Sequence, residues 1–510
     1  PFPAGFVGAP SLVSGLGARP LVAPTARRAH NGRMKGALLP CMLLPAALLV
    51  LHGERGPSPQ VDPATAEEAT EQPNALERTV AARVDDERAK ETVRALVALG
   101  PRMGGTPSGL ESVEFLEEAF GALELEVERH VAPERWVHAE SGWRLVATPE
   151  GGETIELVRA WPRGYSPASE GRARLSLEAS PDVALLAQRW RPRRKGVRPA
   201  VVLDYGSVTH DGAYPVCSPH PRGRRAETTM FGLSRPEGER LAALLSSGSE
   251  VEIQWSLDAK TYEAQPITVV ASLAPREGAR PGHVVVCAHG DSDSGGPGAN
   301  DNASGVAIVL EMARAWCAAI AAGELERPPI EVRFVVWGSE IHSTRAYMES
   351  ELGADAVLVL NYDQAGYGTT GQRLHVEPDD LPANEAFVRT AVAVLEDHGG
   401  ADGFPDRWAT NKSLGGTDSY VFSGAKRFRA EKLPSVTMFT SAWGSPDEQP
   451  RTPGMPGESW SDRDRVAMDY DVHYHSSGDV PENTTDREPE NMGWCARVGL
   501  VTLLRAIEVD

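Results

Sequence analysis

From about residue 260 to its end the chain alternates between two hydrophobic rhythms. HVVVCA (283–288), IEVRFVVW (330–337), AVLVL (356–360) and PSVTMF (434–439) are short apolar runs, the mark of strands buried on both faces. Longer stretches with helical spacing, such as VAIVLEMARAWCAAI (306–320), separate them. Strand–helix alternation predicts an α/β domain with a mostly parallel central sheet covered by helices. Upstream, a helical pattern runs to about Leu99 and is stopped by Gly100-Pro101. SGLE (108–111) has the form of a capping box and predicts a second helix with Val113, Leu116 and Phe120 on one face. LELEV (123–127) alternates like a strand.

Between 131 and 260 the rhythm changes. GWRLVAT (142–148), TIELVRAW (154–161) and PAVVLDYG (199–206) are short alternating segments between Pro/Gly-rich turns, followed by a helix and a returning strand in SRPEGERLAALLSSGSEVEIQW (234–255). The pattern predicts a β-rich insert at 131–260 between two parts of one catalytic domain, 74–130 and 261–510. The N-terminal part differs again. GALLPCMLLPAALLVL (36–51), with Arg33 and Lys35 before it, fits the apolar segment of an export signal, or a short membrane anchor. Residues 1–55 are therefore read as a leader, with Met34 as an alternative start, and 56–73 as a disordered Pro/Glu/Thr-rich linker. The expected location is periplasmic or extracellular.

Composition narrows the partners. A net charge of −20 over 510 residues argues against nucleic acid. Two basic runs, RWRPRRKGVR (189–198) and RGRR (222–225), go against the trend and read as solvated loops. Cys217, Cys287, Cys317 and Cys495 are scattered and form no CxxC, so no disulfide framework is expected.

Chemistry gathers at the ends of the core strands. The first strand runs into His289-Gly-Asp291, with Asp301 in the glycine-rich loop beyond. After the second comes Gly338-Ser-Glu340, and after the third Asn361-Tyr-Asp363. HYHSSGDVPENT (473–484) adds His473 and His475. In open α/β sheets ligands bind outside the carboxyl ends of the strands, so these side chains can converge on one crevice. Two histidines and several carboxylates without cysteine make a nitrogen/oxygen donor set suited to zinc. A carboxylate such as Asp301 can bridge two ions, and Asp291 is placed to orient the His289 imidazole.

HGDSDSGGPGANDNASG, WGSE, NYDQAG, GGTDSYVF (415–422) and YHSSGDVPENT resemble, in order, the motifs of the di-zinc aminopeptidase family, which includes plasma glutamate carboxypeptidase and glutaminyl cyclase. GPRMGGTPSG (100–109) and ITVVASL (267–273) extend the resemblance, which covers about 75–130 and 260–510. The insert sits where many members carry a protease-associated domain. The resemblance implies His289, Asp301, Asp363 and His475 as metal ligands, Asp291 as the residue behind the first histidine, and Asp418 as an acidic position at the substrate site. His473 does not match the ligand and is read as support.

One departure stands out. The family has two consecutive glutamates after the second strand, a general base and then a metal ligand. WGSEIHSTRAY (337–347) has one. Aligned from the strand, Glu340 is the base and Ile341 takes the ligand position; aligned from STRAY, Glu340 is the ligand. His342 is a candidate substitute for the missing ligand. One or two zinc ions per chain follow. The expected function is a zinc-dependent exopeptidase acting on a peptide or aminoacyl substrate with metal-activated water. The alternatives are a single-zinc, glutaminyl-cyclase-like acyltransferase and a receptor-like ectodomain that has lost the chemistry.

Overall fold

The four apolar runs pair side by side. Glu331–Trp337, His283–His289, Ala356–Tyr362 and Ser435–Phe439 are adjacent and parallel. This computed structural model describes residues 75–509, apart from 193–195, 210, 293–294, 369–372, 411–416, 424–432, 442–470 and 489. The leader and linker readings fall outside the described residues. On one side of the parallel core, Ile267–Leu273 and then Glu126–Val131 add antiparallel strands. On the other, Leu374–Glu377 is antiparallel to Ser435–Phe439 and parallel to Trp408–Thr410.

The continuous apolar runs reflect burial on both faces. Along the first core strand Val284, Val286 and Ala288 pack into one cluster, with Met312 and Trp316 of the helix Ser304–Ala321 and Leu500 and Leu503 of the helix Asn491–Ile507. Val285 and Cys287 point the other way, into a cluster with Trp337, Tyr347, Val421 and Phe422. Each fully buried valine contributes about 1.5–3 kcal/mol. The strand His283–His289 is thus anchored on both sides, and its last residue enters the crevice with little freedom.

Two boundaries differ from expectation. The second helix starts at Pro107 with Thr106 as its cap, not within SGLE: Thr106 Oγ1 accepts from the Gly109 amide at 3.3 Å. Proline suits the first helical position because its ring presets φ and its missing N–H is not needed there. The strand expected at 123–127 begins at Glu126, because Glu124 turns the chain with φ 59°.

The insert is rooted in the sheet by a long ribbon. Arg135–Pro149 and Val251–Ala264 pair antiparallel from Arg135↔Ala264 to Pro149↔Val251. The two arms lead directly into Glu126–Val131 and Ile267–Leu273, which pair in the catalytic sheet. Above the ribbon, Ser169–Ser176, Val183–Ala187, Val201–Asp204 and Thr229–Leu233 form a parallel run. Leu241 of the helix Arg235–Ser246 packs with Leu186, Leu203, Phe231 and Ile253 in a separate core.

Candidate metal centre

His289 is the last residue of its strand and is buried. Its Nδ1 lies 3.0 Å from the Asp291 carbonyl oxygen and 3.3 Å from the Asp291 carboxylate. Donation from Nδ1 leaves Nε2 to face inward, 3.4 Å from Asp301 Oδ1 and 3.5 Å from Asp363 Oδ1. These separations exceed an ordinary hydrogen bond. His475 approaches from the opposite side, with Nε2 2.9 Å from Asp301 Oδ2. One carboxylate therefore offers each of its oxygens to a different imidazole, the arrangement of a carboxylate bridging two ions.

Glu340 joins this group: its carboxylate, His289 and Asp363 each offer a ligand atom within 4.8 Å of the others. Asp363 Oδ1 is buried without a hydrogen-bond partner. Burial opposes charge on His289, but Asp291, Asp301 and Asp363 outweigh it and push the imidazole well above its ordinary value. Burial likewise opposes ionisation of Asp301, yet the neighbouring His289 and His475 imidazoles hold its carboxyl well below the usual range. The pocket thus favours positive charge at its centre, and its oxygen and imidazole donors suit zinc.

The turns bearing these groups are braced by further carboxylates. The Glu340 amide donates to Asp291 Oδ1 at 3.0 Å, so Asp291 touches both His289 and the Glu340 turn. The next amide, Ile341, donates to Asp418 Oδ1 at 2.6 Å, which also accepts from the Thr344 hydroxyl. Asp418 was expected at the substrate. Its carboxylate is buried, and its described contacts brace this turn. Burial, partly offset by His289, pushes the Asp418 carboxyl up to about 6. Ile341 has φ 59°, a strained value for a β-branched residue, and packs against the apolar cluster beneath. His342 turns away, with Nε2 2.9 Å from the Pro133 carbonyl oxygen. Neither residue takes the place of the missing second glutamate.

Three supporting groups escaped the sequence reading. Asp479 accepts from the Asn300 amide at 2.7 Å and the Asp301 amide at 3.1 Å. Asp471 accepts from Asn300 Nδ2 and from the His473 amide, both at 2.8 Å. Arg102, fully buried, donates to the carbonyls of Gly290, Pro297 and Gly298 and so holds the loop between His289 and Asp301. All three lie in or beside motifs already singled out, but an amide brace has no spacing rule of its own. His473 is buried as support, its ring against Tyr214 and Tyr367. Tyr474 stacks on His475 with ring centroids 3.7 Å apart. Burial and the nearby Asp301, Asp363 and Glu340 charges push its phenol far up, so it keeps its proton and has a hydroxyl that can donate a hydrogen bond. Gly338, just before Glu340, permits a close approach: a Cβ there would strike the Ile267 backbone, and one on Gly104 would strike the Gly338 carbonyl.

The geometry meets known proteins at this point. The aminopeptidase YwaD of Bacillus subtilis is 23% identical over 422 residues, spanning 78% of this chain and 80% of that protein. The fold is similar to that of BSAP, a zinc aminopeptidase from Bacillus subtilis, with a TM-score of 0.54 at 19% identity over 83% of this chain and 95% of the other. A peptidase M28 precursor from Shewanella amazonensis gives a TM-score of 0.54 at 16% identity over 85% and 96%. Residues 268–498 match the model of Peptidase family M28, and that span holds His289, Asp291, Asp301, Glu340, Asp363, Asp418 and His475: the chain carries an M28 peptidase domain.

Proposed function

We propose that this protein is a zinc-dependent, aminopeptidase-like exopeptidase. The observation that carries the reading is Asp301, whose two oxygens face His289 and His475 while Asp363 and Glu340 close in beside them. His289, Asp301 and Asp363 would hold one zinc ion, and His475 with Asp301 a second. When bound, zinc supplies a Lewis acid for the peptide carbonyl and lowers the pKa of the attacking water. Glu340 groups with His289 and Asp363, beside the carboxylate that would bridge the ions, and is read as the general base. Its carboxylate takes a proton from the water and returns it to the leaving amine. Asp291 holds the His289 ring and the Glu340 amide in one register, so ligand and base move together. Tyr474, protonated and stacked on His475, has a hydroxyl to donate to developing negative charge.

The name of the YwaD relative supports action at the amino end of a substrate. The apolar run 36–51 supports an exported protein, with the same run as an alternative membrane anchor. The test is metal content of the purified chain together with a screen of aminoacyl and peptidyl substrates, with and without chelator. Chelator-sensitive release of N-terminal residues is expected. Amide cyclisation of N-terminal glutamine without hydrolysis would favour the acyltransferase reading. Zinc-free protein inert towards every substrate would favour the receptor-like one.

A further inference from the structure

The two histidine-bearing arms of the centre are not held alike. His289 ends a core strand, and Asp363 directly follows another. His475 and Glu340 sit in turns, and the insert reaches both. The Cys217 amide donates to the His475 carbonyl at 2.6 Å, and the Ser477 amide donates to the Pro215 carbonyl at 3.1 Å. Val216 and Ser476 form an antiparallel bridge between them. The Tyr214 ring, with the Arg159 guanidinium 5.3 Å from its centroid, lies edge-on to His473 and so close to Gly478 that a Cβ there would overlap it. At the other turn Arg135 donates to Ser339 Oγ, and the Pro133 carbonyl meets His342 Nε2. Trp161 Nε1 also donates to Gly295 in the loop between His289 and Asp301, at 3.0 Å.

His475 itself has φ 50°, a backbone conformation that a non-glycine residue holds only when its surroundings impose it. Its own carbonyl and the Ser477 amide two residues on are both paired with the insert. A ligand held in such a turn binds metal well only while the turn is kept in place, because loosening it adds conformations that do not bind.

We propose that the insert is a positioning part of the metal centre: residues 214–217 hold the turn carrying His475, and Pro133–Arg135 hold the turn carrying Glu340. The insert thereby sets the affinity for the ion on the His475 side, while the core sheet sets that of the ion on the His289 side. The inference rests on the metal reading above.

The test uses the full chain and zinc alone, titrated in zinc buffers with content read by mass spectrometry. Wild type is expected to hold one tight and one weaker equivalent. Tyr214→Ala should leave the tight ion unchanged and weaken the other by about 10–100-fold, the range for loss of a group supporting a ligand. Tyr214→Phe keeps the ring and should match wild type. Arg135→Ala should keep both ions and lower kcat about 10-fold with KM unchanged, with partial recovery in Arg135→Lys. Wild-type affinity for both ions in folded Tyr214→Ala overturns the His475 half, and wild-type kcat in Arg135→Ala overturns the Glu340 half. If Tyr214→Ala does not fold, hydrogen exchange in the zinc-loaded wild type decides: protected Cys217 and Ser477 amides support the clamp, and rapid exchange at both overturns it. A wild type that binds no zinc removes the metal reading itself, a result separate from any of these.

Discussion

His289 and Asp363 on one side, and Glu340 and His475 on the other, reach the same crevice by different means. The first pair grow from strands whose neighbours on both faces are buried, so the sheet positions them and few extra contacts are needed. The second pair stand on turns with positive φ at Ile341 and His475, and their amides and carbonyls are taken up by Asp291, Asp418 and the insert. Strand ends give position through hydrophobic burial. Turns obtain it through hydrogen bonds, each worth about 0.5–1.5 kcal/mol net. The turn side of the centre should therefore be the easier one to perturb without unfolding the protein.

The largest effect is expected where the sheet supplies the ligand. His289→Ala and Asp363→Ala should each abolish chelator-sensitive hydrolysis and lose bound zinc while circular dichroism stays that of wild type. Full activity in either purified variant would remove the metal reading. Glu340→Gln comes next. Turnover should fall about 10²–10⁴-fold with the tight zinc retained. Two equivalents in wild type falling to one in this variant would instead make Glu340 a ligand.

Asp418→Ala should act through the turn alone. It strands the Ile341 amide and the Thr344 hydroxyl, so stability should drop by about 1–3 kcal/mol and kcat by roughly 10-fold, with zinc content unchanged. Asp418→Asn keeps an acceptor and should do less; thermal melts beside steady-state kinetics separate the two.

The smallest effect on activity lies at the root of the insert. Burial pushes the Glu140 carboxyl up to about 8 from an ordinary 4.5. A raised folded value means stability present below about 4.5 and lost as pH rises through 8, at no more than about 1.4 kcal/mol per pH unit. Glu140→Gln should melt higher than wild type at pH 8 and alike at pH 4. His283 behaves oppositely: burial, aided by Arg333, holds it near 4, so its contribution is present above about 6.5 and is lost as pH falls through 4. Melts of wild type and both Glu140→Gln and His283→Gln across pH 4–8 would show whether the two slopes have these opposite signs.

Much of this was legible in the chain itself. Mostly apolar runs of five to eight residues marked the parallel strands because burial on both faces leaves few polar positions. The order of His289, Asp301, Glu340, Asp363 and His475 marked the crevice because strand ends in such a sheet point the same way. Helix starts were less legible: SGLE carries a capping pattern, yet the cap that forms is Thr106, whose hydroxyl oxygen accepts from the Gly109 amide. The bracing contacts of Asp418 were hidden for a related reason. Its motif gives its neighbourhood, whereas its hydrogen bonds depend on how the turn after Gly338 closes.

By itself, then, the sequence determined the α/β class and the separate rhythm of residues 131–260, because these follow from side-chain type and period, while the resemblance of its motifs supplied the candidate donors of the centre. Only the tertiary structure decided that Asp301 lies between two imidazoles, that Glu340 joins His289 and Asp363, and that Ile341 and His342 face away. It also decided that residues 214–217 of the insert bond to the turn of His475, some 260 positions along the chain. Such contacts are made by backbone amides and carbonyls, which every residue carries. Their pairing leaves no trace in residue type and exists only once the ribbon at Arg135–Pro149 and Val251–Ala264 has set the insert in place.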